Sequence, residues 1–113
     1  MKKMFLIVMV LALAFIYGCG SSEPIVVDEF ATCLTENGAE LYGSESCPHC
    51  QEQKAMFGES FKLIDYTECS EDQQKCAEEE IQYLPTWKFD DGAVTTGVKS
   101  FGYLAEKTGC VLP

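Results

Sequence analysis

Two cysteines three residues apart, Cys47 and Cys50, enclose Pro48 and His49, and no other stretch restricts the fold of this chain so tightly. Ala39 to Tyr42 reads as a short apolar strand, whereas residues 51–57 are mostly good helix formers that stop at Gly58. The pair therefore lies where a strand hands over to a helix. Pro48 suits the first helical position, because its fixed φ is already helical and the N–H it lacks would be unpaired there anyway. Cys47 then becomes the capping residue, facing free backbone N–H groups and the positive end of the helix dipole, which favours its thiolate. Cys50 falls on the same helix face, one turn deeper.

Thiol-disulfide exchange needs such a pair: an exposed thiolate to attack, and a second thiol near enough to release the mixed disulfide. Cys47 is the expected nucleophile and Cys50 the resolving thiol. A protonated His49 would stabilise the Cys47 thiolate further and make the oxidised form a stronger oxidant. The competing readings are a structural disulfide, half of a zinc site and an inconsequential surface histidine; the strand-to-helix setting and internal proline favour redox chemistry.

The residues before the domain point to export. A basic head, Met1-Lys2-Lys3, precedes an uncharged apolar run from Met4 to Tyr17. As a helix that run would span about 21 Å, short of a membrane core of about 30 Å, and it reads as a secretion signal over residues 1–18. Ile16-Tyr17-Gly18-Cys19 resembles a lipobox, in which the signal is cut before a cysteine that then carries lipid. The alternative is an uncleaved anchor, and either places the domain in the cell envelope, outside the cytoplasm and held to the membrane. Residues 19–29 read as a lipid-anchored tether, without stable structure from Gly20 to Val27, and residues 30–113 as one small domain.

A longer pattern carries a resemblance: Phe30-Ala31-Thr32-Cys33-Leu34, Tyr42-Gly43, Cys47-Pro48-His49-Cys50-Gln51-Glu52-Gln53-Lys54, Glu68-Cys69-Ser70, Pro85-Thr86-Trp87 and Gly109-Cys110. The quartet Cys47-Pro48-His49-Cys50 at a helix start resembles the active site of thioredoxin-fold oxidoreductases, in particular their DsbA-like oxidising branch. The whole set resembles the thioredoxin-like domain that accompanies bacterial homologues of vitamin K epoxide reductase. The resemblance implies an α/β thioredoxin-like fold, a central mixed sheet flanked by helices. It also implies a quinone-linked membrane protein as redox partner, expected here as a separate chain, and cysteine-containing exported proteins as clients. No cofactor is called for.

Of seven cysteines, six remain once Cys19 is assigned to lipid, an even number suited to an oxidising space. Six can pair in many ways. With Cys47 and Cys50 joined by their motif, Cys69 and Cys76 are the nearest remaining partners, and Cys33 and Cys110 are left to join the ends of the fold. A looser alternative holds zinc with Cys47, Cys50, Cys69 and Cys76, although the second spacing is too wide for a usual zinc knuckle.

The coarse elements follow the resemblance. Asp28 is expected to cap a helix through Phe30 and Leu34 that ends near Asn37-Gly38. Beyond the active-site helix, residues 61–66 read as a strand, 71–80 as a helix with a solvated acidic face, and 86–89 and 93–96 as a hairpin turning at Asp90-Asp91-Gly92. A last helix, 101–107, is closed by Gly109. In thioredoxin-like proteins a proline placed like Pro85 forms a cis bond opposite the cysteines, and the residue before it, here Leu84, offers its backbone to a bound peptide. Trp87 reads as core.

Two departures from the thioredoxin pattern stand out. Leu41 occupies the place where many thioredoxins bury an acid, and Ser46, not an aromatic, precedes Cys47. Both weaken a thioredoxin-like reductase reading. The net charge of −10 becomes −12 once Lys2 and Lys3 leave with the signal, and arginine is absent, which disfavours nucleic acid as a partner. The residues thus favour an exported protein thiol-disulfide oxidoreductase that oxidises its clients. The alternatives are an envelope reductase, isomerase or electron relay, a copper- or zinc-binding module using Cys47, His49 and Cys50, and a purely structural binding domain.

Overall fold

The computed structural model describes residues 24–113. The expected signal at 1–18, the lipid site at Cys19 and the first part of the tether lie outside the described residues. No helix among the described residues is long and apolar enough to cross a membrane.

Helix α1 (Asp28–Glu36) leads into strand β1 (Glu40–Gly43), followed by α2 (Pro48–Phe57), a short 3₁₀ helix (Glu59–Leu63) and β2 (Asp65–Glu68). The second half contains α3 (Gln73–Glu78), β3 (Thr86–Lys88), β4 (Val94–Thr96) and α4 (Phe101–Thr108). The strands form one sheet in the order β2-β1-β3-β4, with β1 parallel to β2 and antiparallel to β3, and β3 antiparallel to β4. This mixed sheet with its flanking helices is a thioredoxin-like fold.

Strand alternation decides which face each helix covers. Leu41 and Trp87 are register partners on one face, where they pack with Leu34 of α1, Phe57 of α2 and Leu104 of α4. The rings of Phe30, Phe57 and Phe101 meet at centroid distances of 5.0–6.4 Å, so three helices share one aromatic seam. On the opposite face Tyr42 and Thr67 are register partners, and Lys75 of α3 reaches over them, donating to Thr67 Oγ1 at 3.0 Å.

Three boundaries differ from the sequence reading. Val27, not Asp28, precedes α1, and the Asp28 carboxylate accepts a 2.6 Å hydrogen bond from Ser60 Oγ. That hydroxyl also accepts from the Val27 N–H, and Glu59 N–H donates to Ile25 O. Residues 25–29 are therefore docked on the domain rather than forming a loose tether; this contact also needs Gly58, whose φ of 52° and lack of Cβ let Ile25 approach. Phe61 belongs to the 3₁₀ helix, not to a strand, because its ring turns inward between Phe57 and Tyr66. Helix α3 is shorter than residues 71–80, starting after the Asp72 cap and giving way to a left-handed Glu80 at φ 56°.

Candidate active site

The strand-to-helix handover aims both motif cysteines at one end of the sheet. Cys47 is extended, its side chain caps α2 by accepting the Cys50 N–H at 3.2 Å, and Pro48 takes the first helical position. Both thiols are unpaired; Cys47 is half-buried and Cys50 is 1% exposed. Only the first sulfur is thus presented to a reactant. Its Sγ lies 3.8 Å from the carbonyl oxygen of Leu84, and the Leu84–Pro85 peptide is cis, with Pro85 buried.

The two thiols differ in acidity for structural reasons. Burial, with the contact to Cys47 second, pushes the Cys50 thiol up to about 11. The buried sulfur therefore holds its proton at neutral pH, while the outer one has a backbone N–H directed at it. The difference in access suits exchange in which an outside sulfur bonds to the reachable Cys47 and the buried Cys50 is the sulfur released.

His49 is exposed, with Nδ1 3.3 Å from Glu52 Oε2. Its charge would therefore reach Cys47 from the solvent side, shared with Glu52. Cys69 and Cys76 form one disulfide, and Cys33 and Cys110 another. The first bond removes two thiolates from the four-cysteine zinc alternative. Among the described residues no three His, Cys, Asp or Glu side chains are gathered as a metal site.

Several residues near the thiols escaped the sequence reading. Gln53, expected only as a helix former, is fully buried and bridges α2 to Trp87 and Lys99. Tyr66 projects from β2 toward Cys50, and its hydroxyl donates to Glu68, two residues further along the strand, at 2.9 Å. The available signal was the alternation of Tyr66 and Glu68 along a strand that lies beside Gly43.

No protein-family model matches the chain. It is 40% identical over 98 residues to the thiol-disulfide oxidoreductase LTO1 of Arabidopsis thaliana, a match covering 79% of this chain and 26% of that protein. The chain thus spans about a quarter of that relative's length.

Proposed function

We propose that this chain is a membrane-tethered, exported thiol-disulfide oxidoreductase that oxidises protein dithiols through Cys47 and Cys50. The observation that carries the reading is the contrast between the two sulfurs: Cys47 reachable and facing the Cys50 N–H, Cys50 buried with its proton held up to about pH 11. The similarity to a thiol-disulfide oxidoreductase supports the same chemistry.

In the proposed reaction a client thiolate attacks Cys47 Sγ of the Cys47–Cys50 disulfide. A new client–Cys47 S–S bond forms, the Cys47–Cys50 bond breaks, and its electron pair leaves on Cys50, which takes a proton from water. Once protonated, Cys50 is a poor nucleophile and does not return to Cys47. The client's second thiolate then attacks the client sulfur of the mixed disulfide, forming the client disulfide and releasing Cys47 as the thiolate. The backbone beside the Leu84–Pro85 bond would align the client next to Cys47, and His49 would add charge from the surface. Cys33–Cys110 and Cys69–Cys76 serve as structural bridges. Cys19 carries the lipid, and a quinone-linked membrane protein reoxidises the dithiol.

The test is the equilibrium reduction potential of the Cys47–Cys50 pair against glutathione buffers. A disulfide donor is expected well above about −180 mV. A value near the thioredoxin potential of about −270 mV would instead make the chain a reductase or relay.

A further inference from the structure

Behind Cys50 lies a cluster of charged and polar groups for which the exchange reaction just described has no use. Tyr66 and Glu68, two residues apart on β2, face the same side of the sheet. Gly43, the register partner of Glu68, leaves open the space they fill. A Cβ on Gly43 would stand 3.0 Å from the Tyr66 hydroxyl and 3.2 Å from Cys50 Sγ, so phenol and thiol press on the same point. Tyr66 donates to Glu68 Oε1, and Ser70 donates to Oε2 from its hydroxyl at 2.8 Å and its N–H at 3.3 Å.

The cation of the cluster is Lys54, four residues after Cys50 and so on the same helix face. Its Nζ lies 3.9 Å from Glu68 Oε1 and 4.2 Å from the centre of the Tyr66 ring, and the Lys54 and Glu68 side chains are only 21% and 14% exposed. Screening by water is weak at that depth. Three titratable groups therefore face Cys50, namely Cys47 at the cap of α2, Lys54 from α2 and Tyr66 from β2, and Glu68 stands behind them on Lys54 and Tyr66. Burial and Cys47 push the Cys50 thiol up, while the Lys54 charge pulls it down. For Glu68, burial pushes the carboxyl up but is outweighed by the hydrogen bonds from Ser70 and Tyr66 and by Lys54, so it lies below its ordinary value and is ionised at neutral pH.

We propose that Lys54 is a positioning residue for the exchange reaction: held in place by Glu68 and the Tyr66 ring, its ammonium stabilises the thiolate that leaves on Cys50, and Glu68 sets how much of that charge Cys50 feels. The inference rests on the dithiol exchange proposed above. The step it acts on is the one in which client sulfur bonds to Cys47 and the electron pair of the broken S–S bond passes to Cys50. A leaving thiolate of lower pKa departs faster, so the charge balance around Cys50 governs this rate.

The full chain would be compared with Lys54→Met, Lys54→Arg and Glu68→Gln, substitutions that keep most of the local packing. Two quantities are read: the rate at which 2-mercaptoethanol opens the Cys47–Cys50 disulfide at pH 7, and the titration of the Cys50 13Cβ resonance in each protein with Cys47→Ala added. Lys54→Met should slow opening about threefold and raise the Cys50 titration point, Glu68→Gln should speed it about threefold and lower that point, and Lys54→Arg should restore wild-type behaviour. Shifts of the same sign in both variants, or no shift in folded protein, would overturn the proposal. Should Lys54→Met not fold, Glu68→Gln alone decides, since a raised or unmoved titration point contradicts the charge balance. The titration does not depend on the direction of electron flow, so a thioredoxin-like reduction potential would sink the oxidising function while leaving this result standing.

Discussion

Trp87 donates its indole N–H to Oε1 of Gln53 at 3.1 Å, in a part of the core where both side chains are fully shielded from water. The same Oε1 accepts the Lys99 N–H at 2.7 Å, and the Gln53 amide donates to Lys99 O at 3.1 Å. One side chain thereby ties α2 to the central sheet and to the segment entering α4. The helix that Cys47 caps and Cys50 belongs to is fixed by a polar bond, not by apolar packing alone.

Gln53→Met should consequently cost more than its size suggests. The methionine fills much of the same volume but leaves the Trp87 and Lys99 N–H groups without a partner, each worth about 1–3 kcal/mol when buried. A loss of about 2–3 kcal/mol is expected in urea unfolding of the oxidised protein. A loss below about 0.5 kcal/mol would mean that another acceptor takes over.

The two bridges should differ in their effect. Cys33–Cys110 closes a loop with a sequence separation of 77 and Cys69–Cys76 one of 7. By loop entropy the first stabilises by about 4.5 kcal/mol and the second by about 2.5 kcal/mol. Paired serine substitutions at each bridge, followed by denaturant unfolding, should rank in that order. Thiol exchange at Cys47 should remain in a folded Cys33→Ser/Cys110→Ser protein, and its loss there would contradict a purely structural role for that bridge.

Alkaline pH should destabilise the reduced fold through Cys50. The folded thiol keeps its proton up to about 11, whereas an unfolded cysteine ionises from about 8.5. Between those values the unfolded chain binds fewer protons, so stability falls as pH rises. Tyr42 and Tyr66, both raised first by burial and then by their bonds to Glu40 and Glu68, act in the same direction at higher pH. Comparing Cys47→Ala with Cys47→Ala/Cys50→Ala cancels the tyrosines. The gap in stability between the two should shrink by about 1–2 kcal/mol from pH 8.5 to 11; a gap independent of pH would mean that burial does not hold the Cys50 proton.

Local punctuation makes much of the fold legible in the sequence. Pro48 and Gly58 bracket α2, Asp91-Gly92 turns the β3–β4 hairpin, and Gly109 at φ 77° closes α4. Each signal acts within a few residues of itself. Phe61, Leu63 and Ile64 have strand-like composition, yet this stretch is a 3₁₀ helix because Ser60 is held by Asp28 and Val27 from more than thirty positions away. Asp28 has the composition of a cap, yet its carboxylate is taken by Ser60, a partner remote in sequence.

The sequence by itself determined the strand-to-helix setting of Cys47 and Cys50, the order of the elements and the alternation that buries Leu41 and Trp87. These follow from backbone stereochemistry and short-range periodicity, which each residue carries wherever it is placed. Only the tertiary structure decided that Gln53 would satisfy Trp87, and that Lys54 and Glu68 would meet at Tyr66, whose hydroxyl approaches Cys50 across the gap left by Gly43. Hydrogen bonds and charge interactions depend on distance in space, and the parallel pairing of β1 with β2 is what brings those distances about.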